Sequence, residues 1–358
     1  MEDNEKPEFD QLKDAEDIHT SLENKEVEKV VEIICSRSNE QSIKIAEAYI
    51  SSFGTELSKS IESKLSGNVK DLILGCILSK VDFDAGEIYR AIKGAGTDED
   101  LLSEIIATRP SRHIAHIRDR YKNLYDETLD EAIKGDTSKN YQKLLIAIIQ
   151  AKRSDNPYPN SQKMKEFVEK LKGSDGKYQT DFFIQYFSTC SYGEICTICR
   201  LFESTYKENV LDVIKNGMDK DAYDFVKIFL HYISDSGTYF AEKLHGFKEK
   251  DLTRILISRS EVNMDEIRDA YKELYKTDLI DEREVGLNEI RQKAEELEID
   301  YFETSSNTGE GIKEAFDKIF LSIINTVYKQ PQEQFDTDDK QNVKDKNDDS
   351  SCNSCIIF

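Results

Sequence analysis

Residues 84–110 read DAGEIYRAIKGAGTDEDLLSEIIATRP, two helical patterns joined by a glycine loop. In the first pattern Ile88, Ala91 and Ile92 fall on one face, and in the second Leu101, Leu102, Ile105 and Ile106 do the same. Both are the i, i+3, i+4 stripes of an amphipathic helix. Thr97 with Asp100 reads as a cap opening the second helix. Pro110 suits the first turn of a third, with Ile114, Ile117, Tyr121 and Leu124 facing inward. Leu129 with Ile133 marks a short fourth helix, and Leu144, Leu145, Ile148 and Ile149 mark a fifth. Residues 154–160, with Pro157 and Pro159, read as a linker.

Working outward, the end of the second helix recurs. IICSRSNEQ surrounds Arg37, IIATRPSRH surrounds Arg109, YFSTCSYGE surrounds Cys190 and ILISRSEVN surrounds Arg259. A period of about 70 residues with five helical patterns each time means an array of units rather than one lobe.

Composition narrows the function classes. A net charge of −22 repels nucleic acid and, unaided, an anionic membrane face, so either partner needs a cation in between. No run of 18 apolar residues and no apolar stretch at the N-terminus is present, which argues against a spanning helix or a secretory signal. The seven cysteines suggest reduced thiols, and Cys196 and Cys199, a C-x-x-C inside a helical pattern with no second pair, read as core thiols rather than a zinc or redox site. His19, His113, His116, His231 and His245 form no ligand or catalytic spacing, so no enzyme is expected.

Chemistry concentrates in Lys93-Gly94-Ala95-Gly96-Thr97-Asp98-Glu99. Glycines allow backbone angles that turn several carbonyl oxygens one way. Calcium takes six to eight such hard oxygens and usually a carboxylate. A glycine loop therefore needs an acid delivered from elsewhere, and Asp136 stands about forty residues downstream. The same residues also suit a tight helix–helix turn whose glycines serve geometry alone.

The unit length, the K-G-x-G-T-D-E loop and the delayed acid resemble the annexin repeat and its main calcium site. The resemblance implies Ca2+ ligands from the backbone carbonyls of Ile92, Gly94 and Gly96, closed by the Asp136 carboxylate. It implies a minor site at the Thr97 carbonyl and Glu99, with water and a lipid phosphate completing the main shell. The other units depart from this pattern. In the first, Leu22-Glu23-Asn24-Lys25 replaces the glycine loop and Lys64 stands where the acid belongs. In the third, Gly173-Ser174-Asp175-Gly176 has altered spacing and Asp219 lies near, not at, the closing position, a weak site at best. In the fourth, Leu244-His245-Gly246-Phe247 has one glycine where the motif needs two.

One good site gives weak attachment, because avidity comes from several engaging one surface. Cys355-Ile356-Ile357-Phe358 fits a C-a-a-X prenylation signal, with Cys352 a second acylation position, on a polar tether. A single lipid chain holds a protein only marginally, so calcium bridging supplies a second signal.

The fourth unit changes character after Arg268-Asp269-Ala270-Tyr271-Lys272-Glu273-Leu274-Tyr275. Lys276-Thr277-Asp278-Leu279, Asp281-Glu282-Arg283-Glu284-Val285, Tyr301-Phe302-Glu303-Thr304-Ser305 and Glu314-Ala315-Phe316 resemble the last third of a Rab-type small GTPase. Tyr275 replaces the Asn of that family's guanine-reading loop, and Ser306 and Asn307 replace the Ala and Lys of its supporting loop. No G-x-x-x-x-G-K-[ST] loop exists to cradle phosphates; residues 173–177 come nearest, with the wrong spacing. No GTP binding or hydrolysis is expected.

The expected architecture is all-α: an N-terminal segment 1–10, annexin-like units at 11–80, 84–153 and 160–234, and part of a fourth at 236–279. A small helix–strand–helix fragment at 280–328 completes or replaces the fourth unit, and 329–358 is a disordered tail. Within the fragment, 287–297 and 312–324 are expected as helices packing where the fourth unit's last two helices would sit, around a strand at 299–303. The expected activity is calcium-dependent binding of a cytoplasmic, peripheral protein to acidic phospholipid membranes. The alternative is a calcium-independent structural protein with a cytoskeletal partner.

Overall fold

The computed structural model describes residues 9–94, 96–156, 160–172, 179–245 and 249–275. All secondary structure among them is helical. The first unit holds α1 (Gln11–Asn24), α2 (Val27–Cys35), α3 (Asn39–Phe53), α4 (Leu57–Lys64) and α5 (Gly67–Ile77). The second holds α6 (Lys80–Ile92), α7 (Glu99–Thr108), α8 (Ser111–Tyr125), α9 (Leu129–Asp136) and α10 (Lys139–Ile149). The third holds α11 (Ser161–Lys172), α12 (Thr180–Thr189), α13 (Tyr192–Tyr206), α14 (Val210–Lys215) and α15 (Lys220–Ser234). The fourth is described through α16 (Ser236–His245), α17 (Glu249–Arg259) and α18 (Met264–Tyr275). The fragment at 280–328 with its expected strand, and the tail with Cys352 and Cys355, lie outside the described residues.

The apolar stripes read from the sequence are the core. Ile88, Ala91, Ile92, Leu101, Leu102, Ile105, Ile106, Ile114, Ile117, Tyr121, Leu129, Ile133, Leu144 and Leu145 are almost wholly buried. They run into one core with Phe167, Phe183, Phe202, Phe225 and Phe229 of the third unit. The first and fourth units keep smaller cores of their own. Three local expectations shift. Leu124 is 40% exposed, because its position on α8 falls off the buried stripe that Ile114, Ile117 and Tyr121 form. Pro110 is the N-cap of α8 rather than part of its first turn. The cap of α7 is Asp98, whose side chain accepts from the Leu101 N–H at 3.0 Å, which frees the Thr97 hydroxyl for a longer-range bond.

A buried ion pair braces the first two units at the residue whose recurrence revealed the array. Arg37 donates to both oxygens of Asp14 at 2.7 and 3.0 Å, and Arg109 to both of Asp84 at 2.7 and 2.8 Å. His113 Nε2 also meets Asp84 at 2.8 Å. Burial alone would raise the Asp84 carboxyl, but Arg109 and His113 overcome it and hold it well below the usual carboxylate range. The third unit has Cys190 at this place; Arg153 comes in from the end of the second unit, donates to the Cys190 carbonyl at 2.6 Å and lies 4.5 Å over the Phe229 ring. In the fourth, Arg259 lies 4.3 Å over Phe240 and donates to the Thr108 hydroxyl at 3.0 Å. Desolvation pushes both Arg153 and Arg259 down to about 10; beside Arg259 the Arg109 guanidinium adds to the fall, and Tyr232 and the more distant Asp84 offset it only in part.

Contacts from the fourth unit hold the array together. Arg254 donates to both oxygens of buried Glu104 at 3.0 and 2.9 Å, and Lys80 pairs with Glu261. α17 approaches α5 so closely that a Cβ on Gly75 would stand 2.2 Å from Ile257 Cδ1. A side chain there would have to displace Ile257 and press on the Phe83 ring, so it is the small size of glycine, not its backbone angle, that the packing uses.

Candidate metal centre of the second unit

The loop between α6 and α7 is built from the backbone outward. The Lys93 N–H donates to Tyr89 O at 2.8 Å, finishing α6, and the Asp98 N–H returns to Ala91 O at 2.8 Å, closing the loop. Within it Gly94 has φ +144° and Gly96 φ +103°, angles that L side chains rarely adopt. A Cβ at either would meet nothing within 4 Å, so the backbone, not crowding, demands glycine.

The distant acid arrives through α9. Thr128 caps that helix in a reciprocal box with Glu131, and Asp136 is its last residue, exposed beside the loop. The Thr97 hydroxyl donates to the Asp136 carbonyl at 2.9 Å, tying the two segments directly. Glu99 opens α7, and its carbonyl accepts from the Tyr141 hydroxyl at 3.2 Å, which pins the start of α7 to α10. Lys93 extends from the loop to Glu127, 3.1 Å away, and over the Tyr89 ring. Glu127 raises the Lys93 ammonium, and the Asp136 carboxylate adds to that rise from nearby.

The bond from Thr97 to Asp136 thus sets the loop bearing Gly94 and Gly96 beside the exposed end of α9, with Glu99 opening α7 two residues beyond Thr97 and the Ile92 side chain buried beneath. Among the described residues no cluster of three His, Cys, Asp or Glu side chains could hold a metal. The donors on offer here are backbone carbonyls and carboxylates. That set suits a hard, oxygen-seeking divalent cation better than one that prefers nitrogen and sulfur.

The same frame shows what the other units lost. In the third, Gly217 follows the cap Asn209 at the same distance as Asp136 follows Thr128, and its carbonyl accepts at 3.2 Å from the hydroxyl of Thr180, a donor in register with Glu99 rather than with Thr97. Gly217 therefore occupies the place of the acid. Asp219 is committed elsewhere: it caps α15 through the Ala222 N–H and accepts from the Asn140 N–H at 2.9 Å. Counting from the caps Thr128 and Asn209 would have exposed this register in the sequence. The loop at 173–178 and the turn at 246–248 lie outside the described residues. In the first unit the Glu26 N–H returns to Ser21 O as Asp98 returns to Ala91, so Glu23 matches Lys93. The Leu65 N–H returns to Ile61 O as Thr137 returns to Ile133, so Lys64 matches Asp136. Lys64 and Glu23 pair at 3.2 Å. An ammonium stands where the second unit has its carboxylate.

Cys196 and Cys199 lie on α13; burial pushes Cys199 up to about 12, which suits an inert thiol.

An annexin family model matches residues 13–76, 83–148 and 237–282, and a Ras family model matches residues 272–325. Annexin A1 of Sus scrofa is 31% identical over 284 residues, covering 75% of this chain and 81% of its own length. Annexin A11 of Oryctolagus cuniculus is 31% identical over 278 residues, and there the match spans only 55% of the relative. The solved structure of annexin III superposes with a TM-score of 0.72 at 26% identity, over 75% of this chain and 87% of that one. The repeated five-helix unit defines a helical array of the annexin class. The chain belongs to the annexin family, with a Ras-family-like segment following its fourth unit.

Proposed function

We propose that this protein binds Ca2+ at the second-unit loop and, through it, the phosphate groups of an acidic phospholipid surface. The carbonyls of Ile92, Gly94 and Gly96 with the Asp136 carboxylate form the main site, and the Thr97 carbonyl with Glu99 a minor one. The single observation that carries the reading is the 2.9 Å bond from the Thr97 hydroxyl to the Asp136 backbone carbonyl, which sets the glycine loop beside the end of α9, where an acidic side chain about forty residues away stands exposed. A turn that served geometry alone would need no such acid. A bound divalent ion also answers the charge problem, since a chain of net charge −22 is repelled by an anionic bilayer until the cation is shared between them.

One complete site makes the attachment readily reversible. In a chain ending at Phe358, prenylation of Cys355 supplies the second anchor, placing the protein on the cytoplasmic face of membranes. No helix among the described residues is long and apolar enough to cross a bilayer. We assign no catalysis and no GTP binding, because the chain has no phosphate-cradling loop of the P-loop type.

Sedimentation with phosphatidylserine-containing vesicles tests the proposal. The full chain is expected to pellet with calcium and stay in solution with chelator, and Asp136→Ala is expected to raise the calcium needed by at least about tenfold. Pelleting that ignores both calcium and Asp136 would defeat the reading. Calcium-independent association with filaments would favour the structural, cytoskeletal alternative.

A further inference from the structure

Lys93 presents a difficulty for a calcium site. Its ammonium sits on the loop that is to hold the cation, and the first unit shows how far a side chain from that place can reach. Glu23, in register with Lys93, forms a direct 3.2 Å pair with Lys64, in register with Asp136. The two positions are therefore within ion-pairing reach of one another across the frame. With the signs exchanged, Lys93 could close on Asp136 in the same way and fill the site with its own ammonium.

It does not, because Glu127 holds it at 3.1 Å from the residue just ahead of the α9 cap. The third unit repeats the arrangement, with Lys172 paired to Glu208, again just ahead of the cap, at 2.9 Å. The reach from loop lysine to pre-cap glutamate is thus a property of the frame. In the first unit Thr55 precedes the cap Glu56 of α4, and there the loop and acid positions pair with each other instead.

We infer that Glu127 is a positioning residue: by clamping Lys93 it keeps the ammonium off Asp136 and leaves that carboxylate free for the cation. The inference rests on the proposed calcium reading and adds to it a residue that no ligand assignment includes. In physical terms, an internal cation and an external one compete for one carboxylate, and Glu127 decides the competition by offering the internal cation another partner. The clamp is exposed, so its effect is of the modest size that such pairs have.

The test uses the full chain, calcium and vesicles of phosphatidylcholine with phosphatidylserine, reading the calcium concentration for half-maximal sedimentation. Glu127→Gln is expected to raise that concentration roughly two- to fivefold, the range an exposed ion pair is worth. Adding Lys93→Met to Glu127→Gln is expected to restore it. Removing a negative charge weakens cation binding at a distance too, so Glu127→Asp, which keeps the charge and shortens the reach, separates the two explanations. A field effect alone predicts no change for it, whereas a clamp predicts a partial loss that Lys93→Met reverses. No change in Glu127→Gln, no change in Glu127→Asp, or a loss that Lys93→Met fails to rescue would each overturn the inference while leaving the calcium reading standing. A wild-type chain with no calcium response would remove both.

Discussion

The first and second units are alike beneath the loop and opposite at it. Each has a buried arginine gripping a carboxylate on its opening helix, Arg37 on Asp14 and Arg109 on Asp84, in a five-helix frame with matching turn hydrogen bonds. At the corner above, the second unit offers Asp136 beside two glycines, while the first has Lys64 already paired with Glu23. The lesson is that the frame and the site are separable. The frame depends on burying apolar stripes around one braced ion pair, and the corner can exchange a carboxylate for an ammonium without disturbing it.

The strongest way to break the comparison is to attack the shared half. Arg109→Ala leaves Asp84 buried without its main partner, so a loss of about 3–5 kcal/mol in unfolding free energy is expected, and Arg37→Ala should lose a comparable amount. Denaturant titration measures both. A loss at one site only would show that the braces are not equivalent.

Asp84 sharpens the same comparison through pH. Its folded-state pKa is depressed, so the stability it contributes is fully present above the ordinary carboxylate value of about 4 and is lost as pH falls below it. Thermal melts between pH 5 and 2 should show an acid limb that Asp84→Asn flattens, at the cost of lower stability at neutral pH. A limb unchanged by the substitution would assign the acid sensitivity to other carboxylates.

The smallest effect is expected at the corner of the first unit. Lys64→Asp breaks an exposed pair and should change stability by less than about 1 kcal/mol. It should also fail to create a second calcium response, because Leu22-Glu23-Asn24-Lys25 lacks the glycines that the loop conformation requires. A gain of response in an Asp136→Ala background would show that the acid alone makes a site.

Much of this was legible in the residues themselves. The repeat is visible because Arg37, Arg109 and Arg259 close the same apolar stripe, and burial confirms nearly all the inward positions of the second unit. Leu124 escaped because a helical stripe has a soft edge. Thr97 was read as a cap because capping is the local habit of threonine, yet its hydroxyl serves Asp136 instead. Asp219 was read as a displaced ligand because it is the nearest acid in sequence, and its use as a helix cap and as an acceptor for Asn140 became visible only when α10 and α15 came together.

Periodicity and spacing determined the all-helical array and its unit length, because these follow from which residues lie one turn apart. Tertiary structure decided which acid meets which loop, that Gly217 rather than Asp219 fills the third corner, and that Glu127 holds Lys93. Those outcomes depend on side chains from segments far apart in the chain competing for the same few ångströms, and a linear order of residues does not record who wins.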